Sequence, residues 1–144
     1  MVLQMNEINS VRLIVDSLIF MLILLVQIII YPSFHSISNE FFSSWHYNYM
    51  KSISMIIGPL MLIQVFIIIT QCLTQSNLIN YASLISLLIV WIATITFSIP
   101  CHNELQSIGY NNIVVNRLIS TNWIRTVFWM ITLFLSIVNF YKSI

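Results

Sequence analysis

The run LIFMLILLVQIII at residues 18–30 constrains this chain more than any other feature. It holds no charge, and its single amide, Gln27, is set among branched aliphatics. A helix that crosses a bilayer needs about 20 mostly apolar residues. Extending the run back to Val11 and on to Tyr31 supplies them, and three more segments of the same kind follow. The expected spans are residues 11–31, 51–73, 78–99 and 121–141. The fold class they predict is all-α, an integral membrane four-helix bundle forming a single transmembrane domain over residues 1–144. Only 6% of the residues are charged, against about 25% in an ordinary soluble domain. So few charges cannot cover a soluble surface, and the bilayer is the natural solvent. A net charge of +1 gives no basic field for nucleic acid.

Local signals set the ends of the spans. Glu7 and Asp16 accompany Arg12 ahead of the first run, and YPSFHS follows it without a small-residue cleavage pattern, so the run reads as a retained helix and not as a leader. Pro32 is expected to stop that helix, since proline cannot continue the hydrogen-bond ladder. Asn39, and Asn111 or Asn112, are candidate caps for two helices that extend beyond the bilayer before entering the second and fourth spans. Gly58-Pro59 should kink the second helix, and Gly109 suits the end of a short turn after Pro100. Four spans place both termini on one side, here the terminal side, and residues 33–50 and 101–120 on the other, the loop side. Cys72 and Cys101 then lie on opposite sides, and both read as small apolar residues.

Polar groups gather on the loop side. All three histidines, His35, His46 and His102, fall there, with Glu40, Glu104, Arg117, Asn122 and Arg125. Trp45, Tyr47, Tyr49, Trp123 and Tyr31 supply an aromatic belt. On the fourth span Asn122, Arg125, Thr126, Trp129, Thr132 and Ser136 recur at helical spacing, a stripe that lipid tails cannot satisfy and that should face the bundle. The second helix offers His46, Met50, Ile53 and Ile57 on one face, with Gln64 beyond Pro59. The first offers Gln27 and Tyr31, and the third Ser83, Ser86, Val90, Thr94 and Phe97. These stripes can meet in a pocket walled by Trp91, Phe97 and Trp129. Arg125 sits about one turn inside its span and needs a partner or water. Three readings fit it: a side chain reaching lipid phosphate, a pocket group for an anionic or carbonyl oxygen, or half of an ion pair, with Glu104 the nearest acid and Glu40 next. The histidines read either as interfacial rim residues or as ligands. His46 and His102 lie at similar depth on different segments, as paired haem ligands would, but no tight metal-binding spacing occurs.

The order P-C-H-N-E-L (100–105) then N-W-I-R-T-x-x-W (122–129), after Y-P-S-F-H, W-H-Y-N-Y and G-P-L-M-L-I-Q (58–64), resembles a family of small four-span membrane proteins grouped with the anthrone oxygenases, in its bacterial, uncharacterised branch. The resemblance covers about residues 31–129. It implies a four-helix membrane bundle in a bacterial plasma membrane. Some fungal members of the family oxidise anthrones to anthraquinones with oxygen and no dedicated cofactor. By position it implies pocket residues His102, Leu105, Asn122, Arg125 and Thr126, with His46 and Gln64 from the second helix. His102 stands where the fungal proteins tend to have asparagine, and Gln64 where many bacterial relatives have an acid.

Three functions follow as expectations. The first is an oxidoreductase or oxygenase-like protein with a loop-side pocket for an aromatic or quinone-like molecule. His102, Arg125 and Asn122 would be the catalytic residues, with His46, Gln64, Thr126, Trp129, Tyr31 and Glu104 holding the ligand. An imidazole would take the proton, and Arg125 and Asn122 would stabilise the oxyanion. The second is a haem- or quinone-binding protein with His46 and His102 as ligands, so that the cofactor is either none or haem. The third is a non-catalytic subunit or assembly factor, self-associating or docked to a partner, whose polar stripes are interhelical glue worth roughly 0.6–2 kcal/mol per contact.

Overall fold

The computed structural model describes residues 2–143, with side chains described from Asn6 to Lys142. It is a bundle of four antiparallel helical runs: α1 over residues 2–36, α2 over Asn39–Thr74, α3 over Leu78–Ile108 and α4 over Asn112–Ser143. All four are long and apolar enough to cross a membrane, and no strand occurs among the described residues. The connections, 37–38, 75–77 and 109–111, are as short as antiparallel neighbours permit. Side by side the helices follow the order α2, α1, α4, α3 and back to α2. Helix α4 packs tightly against α1 and α3, and α2 closes the ring more loosely.

Helix ends follow side-chain chemistry. The Asn111 carboxamide oxygen accepts from the backbone N–H groups of Ile113 and Val114, at 2.9 and 3.3 Å, and starts α4. Asn77 does the same for α3 through the N–H of Asn80, at 2.9 Å. Asn39 does not cap α2. Ser38 holds the extended cap conformation, and Asn39 is already helical. Gly109 closes α3 with φ +82° and an N–H bonded to the Leu105 carbonyl at 3.1 Å. That backbone conformation suits glycine, which has no Cβ to clash.

Two prolines behave differently from expectation. Pro32 does not end α1, which runs on to Ser36, and Pro100 does not end the third span, which runs on to Ile108. Each proline follows a π-helical segment, Val26–Ile30 in α1 and Thr94–Ser98 in α3. In both, the N–H of the next residue reaches back five positions, Tyr31 to Val26 and Ile99 to Thr94. A π turn holds one residue more than an α turn, which makes room for a proline ring that would otherwise crowd the carbonyl of the preceding turn. The extra residue also slips the helical face. On α3 the buried stripe runs Ser83, Ser86, Val90, Ala93 and then Ser98, while Phe97 is 40% exposed. Phe97 therefore faces lipid and not the pocket. Trp91 packs against Val65, Leu84 and Leu87 on another flank of the bundle.

Candidate functional site

Helices α1, α2 and α3 bring Tyr31, His46 and His102 together near the loop side. The Tyr31 hydroxyl lies 3.0 Å from His102 Nε2, His102 Nδ1 lies 3.0 Å from His46 Nε2, and His46 Nδ1 lies 2.9 Å from Gln106 Oε1. One amide sets the direction of this chain. Gln106 Nε2 donates to the Ser43 carbonyl, so Oε1 is the atom turned to His46 and can only accept. His46 Nδ1 must then carry the hydrogen and leave Nε2 to accept. His102 in turn donates through Nδ1 and accepts at Nε2 from the Tyr31 O–H. Three neutral groups thus form a one-way relay ending at Gln106, which is exposed. Phe34 and Phe42 pack against the His46 ring, Phe42 nearly parallel to it, and hold it in place.

Beside Tyr31 and His102 is a cavity of about 130 Å³ whose lining includes Ile53, Ile57, Met61, Ser98 and Arg125. Ser54 of α2 and Ile99 of α3 belong to the same lining and are exposed. The cavity therefore opens sideways, between the loosely packed α2 and its neighbour, towards lipid. Gly58 stands near this wall, and a Cβ there would touch nothing within 4 Å, so it is not a close-packing glycine.

Arg125 is 6% exposed and has no carboxylate partner among the described residues. Its Nη1 donates to Ser98 Oγ at 2.8 Å and Asn122 Oδ1 at 3.0 Å. The guanidinium lies 5.1 Å from the centre of the Trp129 ring. Its Nε is buried and has no hydrogen-bond partner among the described residues. Glu104 is not the partner. It pairs with Arg117 at the surface and stands outside the cavity lining, and Glu40 is exposed in the first turn of α2. Asn122 donates to Gln27 Oε1 at 2.7 Å, and the Thr126 hydroxyl bonds the Asn122 carbonyl at 3.1 Å. Asn122 thus holds Arg125, and Leu105 is fully buried in the apolar core. His35 bonds the Tyr110 hydroxyl at the surface and is a rim residue.

The residues do not fit haem. Both nitrogens of His46 and both of His102 are committed within the relay, with 3.0 Å between the two rings' facing nitrogens. No third metal-ligating side chain gathers with them among the described residues, and the cavity is far smaller than a porphyrin.

No family model, curated protein or solved structure matches the chain.

A second buried polar centre lies towards the terminal side, and the sequence reading passed it over. Arg12 and Asp16, taken as flanking charges, are each 1% exposed and paired, Nε to Oδ2 at 3.2 Å. Arg12 also donates to Gln71, Asn80 and Ser83. Asp16 accepts from Gln64 Nε2 at 2.7 Å, and Gln64 accepts from Trp129 Nε1 at 3.1 Å. Gln64 thus belongs to this centre and stands outside the cavity lining. Gln71 and Asn139 both donate to Asn9, and Asn139 also to Asn80. Every helix contributes, and every charged atom of the centre is bonded. The spacing Asn9, Arg12, Asp16, at three and four residues, was the signal available in the sequence.

Proposed function

We propose that this is a membrane enzyme performing acid–base chemistry on an aromatic or quinone-like molecule taken from the bilayer, in the manner of an anthrone oxygenase. The observation that carries the reading is the contrast between the two polar centres. The terminal-side centre is ionically closed, as a structural clamp should be. The loop-side centre leaves a buried guanidinium without an anion and with an unpaired N–H, beside a cavity that opens to lipid. A buried cation left uncompensated costs several kcal/mol, and a ligand oxygen that becomes anionic removes that cost.

The relay supplies the matching proton acceptor. A ligand hydroxyl gives its proton to the Tyr31 oxygen as Tyr31 passes its own to His102 Nε2 and His102 passes its Nδ1 proton to His46 Nε2. The ligand becomes an oxyanion facing Arg125, and His46 becomes an imidazolium whose Nδ1–H points at Gln106. Tyr31 and His102 end neutral, with the His102 tautomer exchanged. An electron-rich phenolate of this kind is the form that reacts with oxygen. On this reading Arg125 keeps the role the sequence analysis gave it, His102 passes the proton on to His46, Asn122 holds Arg125 in place and does not meet the oxyanion, and Tyr31 becomes the group that touches substrate. The corresponding location is a bacterial plasma membrane.

The test is oxygen uptake and visible absorption of full-length protein in lipid nanodiscs given an anthrone or a hydroquinone. Arg125→Ala is expected to lower turnover about 100-fold, the usual effect of losing an oxyanion donor. If wild-type protein neither binds nor oxidises either compound, the enzyme reading is withdrawn and a packing subunit remains.

A further inference from the structure

The terminal end of the bundle has an opening of its own. Where the starts of α1 and α3 meet the ends of α2 and α4, a cleft of about 360 Å³ is lined by Asn9, Gln75, Asn77, Leu78, Asn139 and Lys142. Sites for small molecules commonly measure about 300–1,000 Å³. Two of the walls are buried amides, Asn9 at 3% and Asn139 at 6% exposure. Each has one end committed. Asn9 Oδ1 accepts two hydrogen bonds, from Gln71 and Asn139, and its Nδ2 has no partner among the described residues. Asn139 Nδ2 donates to Asn9 and Asn80, and its Oδ1 has no partner among the described residues. Neither atom is among the enclosed unpaired ones, and the open space these residues line is the cleft. The network thus presents one fixed donor beside one fixed acceptor. At the rim, Lys142 pairs with no carboxylate among the described residues. Leu78 there is 84% exposed and Leu73 is 81% exposed nearby at the end of α2, surfaces suited to acyl chains.

We propose that this cleft binds the headgroup of an anionic phospholipid whose headgroup carries hydroxyls. The phosphate meets Lys142, and a hydroxyl, which both donates and accepts, bridges Asn9 Nδ2 and Asn139 Oδ1. A headgroup with no hydroxyl beyond its phosphate has no group to bridge the two amides once Lys142 holds the phosphate, and Asn139 Oδ1 is left without a donor. A choline headgroup brings a second cation towards Lys142.

The experiment offers full-length protein in detergent equal amounts of phosphatidylglycerol, phosphatidic acid and phosphatidylcholine and reads the bound lipid by native mass spectrometry. Phosphatidylglycerol is expected to be retained about tenfold over phosphatidylcholine, the ratio that one or two net hydrogen bonds produce, and also in preference to phosphatidic acid. Lys142→Ala removes an exposed side chain, leaves the fold intact by circular dichroism, and lowers phosphatidylglycerol retention about fivefold, the effect of one lysine at an anionic surface. Asn139→Leu brings phosphatidylglycerol and phosphatidic acid to equal retention. Equal retention of phosphatidylglycerol and phosphatidic acid by the wild type overturns the proposal, as does indifference to Lys142→Ala. Displacement of the lipid by soluble glycerol phosphate moves the site from lipids to soluble phosphates and overturns it too.

Discussion

In the proposed chemistry Tyr31 is the hinge, since it lines the cavity and its hydroxyl bonds His102 Nε2. Tyr31→Phe removes one hydroxyl and should change stability by only about 1 kcal/mol. Turnover should fall about 100-fold, the low end for a general-base group, and a comparison of kcat with melting temperature separates the two effects. Asp16 gives the opposite pattern. Asp16→Asn leaves Arg12 as an uncompensated buried cation and should cost about 3–5 kcal/mol, as broken buried pairs do. Replacing the pair together, Arg12→Met with Asp16→Leu, should recover most of that loss in thermal melts, because packed apolar groups can substitute for a buried ion pair. Oxidation of a substrate by surviving Asp16→Asn protein should be close to wild type, since Asp16 lies outside the cavity lining.

At the scale of the helix, the π segments decide which residues look inward. Deleting Ile95, a lipid-facing residue at 57% exposure, lets α3 close as a regular α-helix. Ala93 and Ser98 then stand four positions apart in a regular helix, so Ser98 and His102 keep their inward face, and binding and helicity by circular dichroism should survive the deletion. Deleting Leu88 instead, ahead of the π turn and within the regular part of α3, turns everything after it by about 100° and should abolish binding. The slip at the π turn is also why the sequence showed some of the site and concealed the rest. The α4 stripe, Asn122, Arg125, Thr126 and Trp129, was legible because α4 is a regular helix whose spacing maps directly onto a face. Phe97 was misplaced because a five-residue turn leaves little mark in composition beyond a proline just downstream. Arg12 and Asp16 were missed for a different reason. A charge next to an apolar run reads as a boundary, and only the partners on α2, α3 and α4 reveal it as interior. Glu104 was the nearest acid to Arg125 by topology for the ion-pair reading, whereas Arg117, also on α4, reaches it at the surface.

Across the molecule the two ends differ in how firmly they are tied. The terminal end is cross-linked by Arg12, Gln71, Asn80 and Asn139 from all four helices, and the loop-side half has a wall, α2, that packs loosely. Hydrogen exchange should therefore be slowest around Asn9, Gln71, Asn80 and Asn139 and fastest, within the spans, along residues 50–61. A phenolic ligand should slow exchange in 50–61 and leave the terminal end unaffected.

The span from Asn9 to Asn139, bonded at 3.2 Å, also bears on how the chain is made. During synthesis α1 enters the bilayer long before α4 exists. The Arg12–Asp16 pair lies within one helix, so α1 can carry its two charges in together, already neutralising each other. The bonds among Asn9, Gln71, Asn80 and Arg12 need only α1, α2 and α3, and the Asn9–Asn139 bond is added when α4 docks. Gln27 has no such self-sufficiency, since its Nε2 donates to the Ile119 carbonyl and its Oε1 accepts from Asn122, both on α4. A ribosome that stalls before α4 leaves a membrane intermediate with a bare amide in hydrocarbon, a visible mark for quality-control proteases, and the arrival of α4 hides it.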